Sequence, residues 1–192
     1  MPRPPCQSRG FTLLELMVTI TIVAVLLAIG VPSLHGTIQR NRVSSASNDL
    51  LASLAYARTT AIDRGQLISM CPSADGASCT TGGEAYEPGW IVYTYPASTA
   101  SANKAYDSSS TLLRAVGERA GVSIHAQQTG VITFGAQGQL RPGTALVFLI
   151  CARDADSGFG TSTAKVPGVH MEVNGSGSAY TKALAAGDPC GS

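Results

Sequence analysis

From Phe11 to Val31 the chain is almost without polar side chains, and a single carboxylate, Glu15, interrupts the start of the run. Beyond it the spacing of apolar positions changes: Val43, Ala46, Leu50, Leu54, Ala57 and Ala61 recur at intervals of three and four, which predicts an amphipathic helix with one buried stripe. Polar residues, among them Arg42, Asn48, Asp49 and Arg58, fill its other faces, and Gly65 is placed to cap its end. The two stretches read as one helix from Phe11 to Arg64, bent near Pro32, where proline removes a backbone donor and crowds the preceding turn.

After Gly65 the pattern is that of strands. Short β-rich runs occur at QLISMC, GWIVYTY, TLLRAV, VSIHA, VITF, ALVFLIC and GVHMEV, separated by clusters of glycine, proline and serine. Val169, Met171 and Val173 alternate with His170 and Glu172, as one buried and one wet face require. ALVFLIC is apolar throughout and predicts a strand covered on both sides. GAQGQ after VITF reads as a hairpin turn. Three polar stretches read as loops: residues 72–88, 96–110 and 152–168, the middle one low in complexity and expected to be mobile.

The apolar run decides the compartment. From Phe11 to Leu34 a helix would reach roughly 36 Å at about 1.5 Å per residue, enough for the roughly 30 Å hydrocarbon core. Arg3 and Arg9 precede it, which keeps that end in the cytoplasm and sends the rest across. A removable secretory signal has a shorter apolar core and a small-residue cleavage site after it; this run is long and no A-x-A site follows. An ordinary signal anchor fits the length but gives no reason for Glu15, since a carboxylate in hydrocarbon costs about 2.5–3.5 kcal/mol.

Cysteine usage agrees with export. Cys6 lies before the run, while Cys71, Cys79, Cys151 and Cys190 lie after it, an even set suited to an oxidising compartment. Four thiols allow three pairings. Cys71 with Cys79 would close a short polar loop, and Cys151 with Cys190 would tie the tail to a strand. No C-x-x-C pair or closely spaced histidine suggests zinc instead.

Composition limits the rest. The 192 residues, 44% hydrophobic and 13% charged, suffice for one membrane segment and one modest globular domain. The formal charge is +1, and without Arg3 and Arg9 there are 13 − 2 = 11 basic against 12 acidic side chains, so the globular part has no electrostatic bias toward nucleic acid.

The segment RGFTLLELMVTITIVAVLLAIGVP resembles the signal of type IV prepilins and type II secretion pseudopilins. The resemblance implies that a membrane prepilin peptidase cuts after Gly10 and that the new terminal Phe11 is N-methylated. Glu15 then falls at the fifth mature position and Pro32 at the twenty-second, where the family commonly kinks its helix. It also supplies a purpose for the carboxylate, because Glu15 of one subunit can pair with the terminal amine of its neighbour when helices pack into a filament. The head resembles the H-type minor pseudopilins and their FimT-like relatives, through LLASLAYARTTAIDRG, ISMCPS, PGWIVY, LLRAV, ITFGAQGQL and FLICA. That implies a pilin-like α+β fold, a long helix packed against an antiparallel β-sheet head.

The expected organisation is a leader at 1–10, a transmembrane part at 11–34, a periplasmic half-helix at 35–65 and a β-rich head at 66–192. The expected partners are other major and minor pseudopilins, the prepilin peptidase, the inner-membrane assembly platform and membrane lipid. The leading function is a minor pseudopilin of type II secretion, with no cofactor, metal or catalysis of its own. A minor type IV pilus pilin serving adhesion, motility or DNA uptake is the alternative. Some FimT-like proteins bind DNA through a C-terminal G-R-x-R motif, which is absent here; the tail SGSAYTKALAAGDPCGS carries only Lys182 as a base. A membrane-tethered hydrolase is a third possibility, against which stands the absence of a G-x-S-x-G, Walker or H-E-x-x-H motif. His35, His125 and His170 read as surface histidines, Asp154 and Asp156 before Gly158 as a solvated acidic turn lacking a complete calcium loop, and Asn174-Gly175-Ser176 as a chance N-x-S match.

Overall fold

A computed structural model describes residues 11–80, 82–96, 101–128, 130–153 and 158–191, with the side chains of 31–33 left aside. The longest element is α1 (Leu13–Arg64), 52 residues. It starts two residues later than the apolar run suggests because Thr12 takes the N-cap. Thr12 Oγ1 accepts the Glu15 N–H at 3.2 Å, and its carbonyl accepts that of Leu16 at 3.1 Å. The other end closes on Gly65 at φ 61°. There the Gly65 and Gln66 N–H groups donate to the carbonyls of Ile62 and Ala61, the two bonds of a Schellman cap.

The chain divides into two compact units, Met1–Thr37 and Ile38–Ser192, and α1 is assigned without interruption through both. In the first unit the large apolar side chains from Phe11 to Ile29 are all at least half exposed. No other described residue covers them. This is the one helix among the described residues that is long and apolar enough to cross a membrane.

Among its described residues the second unit has nine strands, all paired antiparallel. One sheet has the order β3 (Thr111–Val116), β2 (Trp90–Thr94), β1 (Ile68–Pro72), β5 (Ile132–Phe134), β6 (Leu140–Arg141). The other runs β4 (Val122–Ala126), β7 (Leu146–Ala152), β8 (Val169–Val173), β9 (Ala179–Ala183). The head is therefore built from two sheets. Seven strands fall on the seven β-rich runs. The additional β6 has only two residues, and β9 is an edge strand with four of its five residues exposed, so neither produces an apolar alternation.

The helical stripe is the common wall of both sheets. Val43, Ala46, Leu50, Leu54, Ala57 and Ala61 are all buried in one cluster with Ile68, Met70, Trp90 and Val92 of the first sheet and Ile124, Phe148, Ile150 and Met171 of the second. Alternation along each strand sets this up. Ile68 and Met70 point to the helix, while Cys71 joins Ile91, Tyr93 and Tyr95 in a second apolar cluster on the opposite face of the sheet. β7 is covered on both faces: Phe148 and Ile150 lie in the main core, while Leu149 and Cys151 on the other face are buried too.

Part of the loop at 96–110 is tied to the sheet by backbone hydrogen bonds. Residues 97–100 lie outside the described residues, but 101–107 are strapped over the second apolar cluster. The Lys104 carbonyl accepts both the Tyr93 and Tyr95 hydroxyls, and the Lys104 N–H donates to Tyr95 Oη at 2.9 Å. The Asn103 N–H donates to Thr133 Oγ1 at 2.8 Å. Polar composition hid this strap because its anchors are backbone groups, which sequence complexity does not report. The GAQGQ turn does join β5 to β6, closed by the Gly135 N–H on the Gln139 carbonyl, with Gly138 at φ 78°.

Candidate functional site

The exposed end of α1 combines three features within five residues. Phe11 is 74% exposed; Thr12 caps the helix; Glu15 occupies the third helical position, the spacing of a capping box. From Leu16 to Ile29 there follows no charged residue. Glu15 is thus the one carboxylate on a long apolar surface, at its first turn.

Of the other residues singled out by sequence, Gly10 and Cys6 lie outside the described residues, as do Asp154 and Asp156. Pro32 falls within the assigned span of α1, its side chain outside the description. The structure joins Cys71 to Cys79 and Cys151 to Cys190, with Cα–Cα separations of 5.6 and 6.1 Å. The first bridge closes a turn organised by Asp75, whose carboxylate accepts the N–H groups of Ala77 and Ser78, both at 2.8 Å, and the Ser78 hydroxyl. Those bonds hold its pKa well below the usual carboxylate range. The second fastens the tail beneath β7, where Gly168 leaves room for the Cys151 sulfur: a Cβ there would come within 2.3 Å of it.

The histidines are not all on the surface. His125 is only 8% exposed, edge-on to Phe159 at 4.8 Å and with Nε2 at 3.6 Å from Glu84 Oε2. The outward-facing surface position expected for it differs from the structure, where the Phe159 ring packs on the imidazole and Ala85 pairs with its backbone. His170 is half-buried, its Nδ1 enclosed without a hydrogen-bond partner among the described residues. His35 is exposed. The three do not converge, and no group of three or more metal-ligating side chains occurs among the described residues.

The remaining charges of the head act as struts. Arg119 sits over Trp90 at 5.8 Å and pairs with Asp49 of α1 at 3.1 Å. Arg153 reaches Glu87 at 3.5 Å, while the other Glu87 oxygen accepts the Ile124 N–H at 3.1 Å. Each joins elements already adjacent in the core. Tyr86, fully buried, donates its hydroxyl to the Gly130 carbonyl at 2.7 Å, and burial raises its pKa.

A long apolar helix, capped at a carboxylate and continued as the spine of a two-sheet antiparallel head, defines a pilin-like structural subunit anchored in a membrane. Solved structures of the type IV minor pilin FimU of Pseudomonas aeruginosa share this fold. One crystal form is 23% identical with a TM-score of 0.55, covering 77% of this chain and 96% of FimU. A second is 22% identical with a TM-score of 0.51, covering 74% and 98%. Residues 46–177 match the type II transport protein GspH family, and residues 6–31 match the prokaryotic N-terminal methylation motif. The chain belongs to the type II transport protein GspH family, and its function is that of a minor pseudopilin. Family and fold are those of structural pilin-like subunits.

Proposed function

We propose that this minor pseudopilin is cleaved between Gly10 and Phe11, methylated at Phe11, and built into a short type II secretion filament through its helix terminus. The head then faces the periplasm, the ten-residue leader having been cytoplasmic, and the four head cysteines lie in the oxidising compartment. The subunit contributes no catalysis; it helps initiate or cap a filament made with major and minor companions at the inner-membrane assembly platform. The observation that carries this reading is Glu15, a carboxylate at the third position of α1, at the start of a stretch to Ile29 that is otherwise uncharged and exposed, and four residues from the amine that cleavage would free. In a bundle of such helices neither charge is left bare if one subunit's Glu15 meets the next subunit's amine.

A cap and an intersubunit ion pair are separable by substitution. Glu15→Gln retains the side-chain oxygen of a capping box and removes the charge; Glu15→Ala removes both. If the ion pair governs assembly, both variants are processed normally and both fall at least about tenfold in filament incorporation, the loss expected for one partner of a desolvated charge pair. Incorporation of Glu15→Gln at the parent level reduces Glu15 to a helix cap. Cleavage is tested by mass spectrometry of the membrane-extracted protein: an amino terminus at methylated Phe11 is expected, and one at Met1 with the peptidase present rejects it.

The FimU fold keeps the type IV pilus reading in play. Deletion should abolish secretion of a folded substrate and leave twitching intact; the reverse outcome assigns the subunit to a pilus. Lys182 lies on the exposed β9 edge and is the single base of the C-terminal tail, so DNA retention at low salt is expected to be absent.

A further inference from the structure

Between Glu15 and Asp49 the chain carries no carboxylate, and its two arginines there, Arg40 and Arg42, come just after the expected end of the membrane span at Leu34. Arg40 follows Leu34 by six residues of α1, roughly 9 Å at about 1.5 Å per residue. The headgroup layer extends about 5–8 Å beyond the hydrocarbon on each side. A long cationic side chain bridges the difference, since its stem lets the charge sit away from its own backbone.

At this level of the second unit α1 and β9 flank a groove of about 350 Å³, within the range of small-ligand sites. The helix lines it with Arg40, Ser44, Ser47 and Asn48, the strand with Thr181 and Lys182, and no carboxylate lines it. Arg40 is held in place: its Nη2 donates to the Lys165 carbonyl, which leaves the other guanidinium N–H groups for a ligand. Neither Arg40 nor Lys182 makes an ion pair among the described residues; the pairs belong to Arg119, His125 and Arg153. Ser47 is only 6% exposed, yet its hydroxyl, unlike that of Ser53, which donates to the Asp49 carbonyl, has no hydrogen-bond partner among the described residues. The groove thus combines two uncompensated cations with an unpartnered hydroxyl on a buried residue.

We propose that this groove binds the phosphate of an anionic phospholipid headgroup, with Arg40 and Lys182 pairing with the phosphodiester oxygens and the Ser47 hydroxyl donating to one of them. Charge-assisted bonds of this kind are about twice as strong as neutral ones. The bilayer is the source because α1 tethers the groove beside it, and tethering raises the effective concentration of headgroups over that of a free anion. A zwitterionic headgroup brings its own cation to the rim and competes poorly. The contact exists only while the subunit is in the bilayer, so it favours the unassembled state. The proposal rests on the membrane anchoring of α1, but its test involves no filament; loss of the lipid response and loss of incorporation are separate readouts.

The full-length protein is placed in nanodiscs of phosphatidylcholine with a rising fraction of phosphatidylglycerol, and the backbone amide signals of Ser44, Ser47 and Thr181 are followed. Saturable shifts are expected. Arg40→Gln and Lys182→Gln should each weaken the apparent affinity about fivefold, the loss for one cation at an anionic surface. Ser47→Ala should weaken it with no change of charge. Lys104→Gln, an equal loss of charge on the strap over the first sheet, should leave it as it was. Unchanged fluorescence of Trp90, the single tryptophan, verifies the fold of each variant. The proposal is overturned if no signal saturates, or if Lys104→Gln weakens the response as much as Arg40→Gln does. It is equally overturned if inorganic phosphate added to phosphatidylcholine nanodiscs reproduces the shifts, which would make the groove a site for the free anion.

Discussion

At the scale of single residues, the most informative side chains are those whose charge is held by backbone. Asp75 and Asp107 are ionised further into acid than free carboxylates, the first chiefly through the Ala77 N–H and Ser78, the second through Ser109. A folded-state pKa below the unfolded one gives stability that is complete above about pH 3.9 and is lost as pH falls through the folded value. Asp75→Ala should therefore melt below the parent at neutral pH and converge with it in strong acid. Parallel melting curves at every pH would remove Asp75 from the stability of the Cys71–Cys79 turn. Residue-scale chemistry was only partly legible in sequence. Thr12 and Glu15 stood in view, but the Phe159 ring that packs on His125 comes from a position 34 residues away. No local pattern carries such a contact.

At the scale of elements, the helix and strands with a buried face were written in their periodicity, and those without one were not. The six stripe residues of α1 follow the 3.6-residue repeat because each meets a sheet. β9 pairs with β8 along five positions from Val169↔Ala183 to Val173↔Ala179, yet its AYTKA sequence shows little alternation, since backbone pairing alone holds that edge. Two variants test the contrast. Leu54→Ala, within the stripe, should cost about 2–5 kcal/mol by denaturant unfolding. Gly65→Ala has open space around its added methyl but must keep φ at 61°, so a smaller loss of about 1–2 kcal/mol is expected from the left-handed backbone alone. Equal losses would mean that the cap, and not the stripe, limits the stability of α1.

For the molecule as a whole, the cross-link from Cys151 to Cys190 spans 39 residues and encloses β8 and β9. Chain-entropy arguments give about 4 kcal/mol for a loop of that length, so Cys190→Ser should lower the unfolding free energy by an amount of that order. Trp90, at the base of the core, reports the transition. A change under about 1 kcal/mol would imply that β8 and β9 already confine the tail by pairing alone. The overall plan of membrane helix followed by β head was plain in the sequence, because a change of solvent along one chain forces a change of pattern. The division into two sheets was not, since it depends on which antiparallel neighbours meet.

The stripe on α1 also dictates where the protein may be shortened. Its first buried member is Val43, and Arg40 just before it donates to the Lys165 carbonyl of the head. Truncation at the unit boundary, Ile38, discards the grease and retains every helical side chain on which the sheets rest. A version begun only a dozen residues later would lose Val43 and Ala46 and expose the inner surface of both sheets. Protease nicking in the intact protein should obey the same frontier, trimming up to the late thirties and stalling where the spine becomes part of the head.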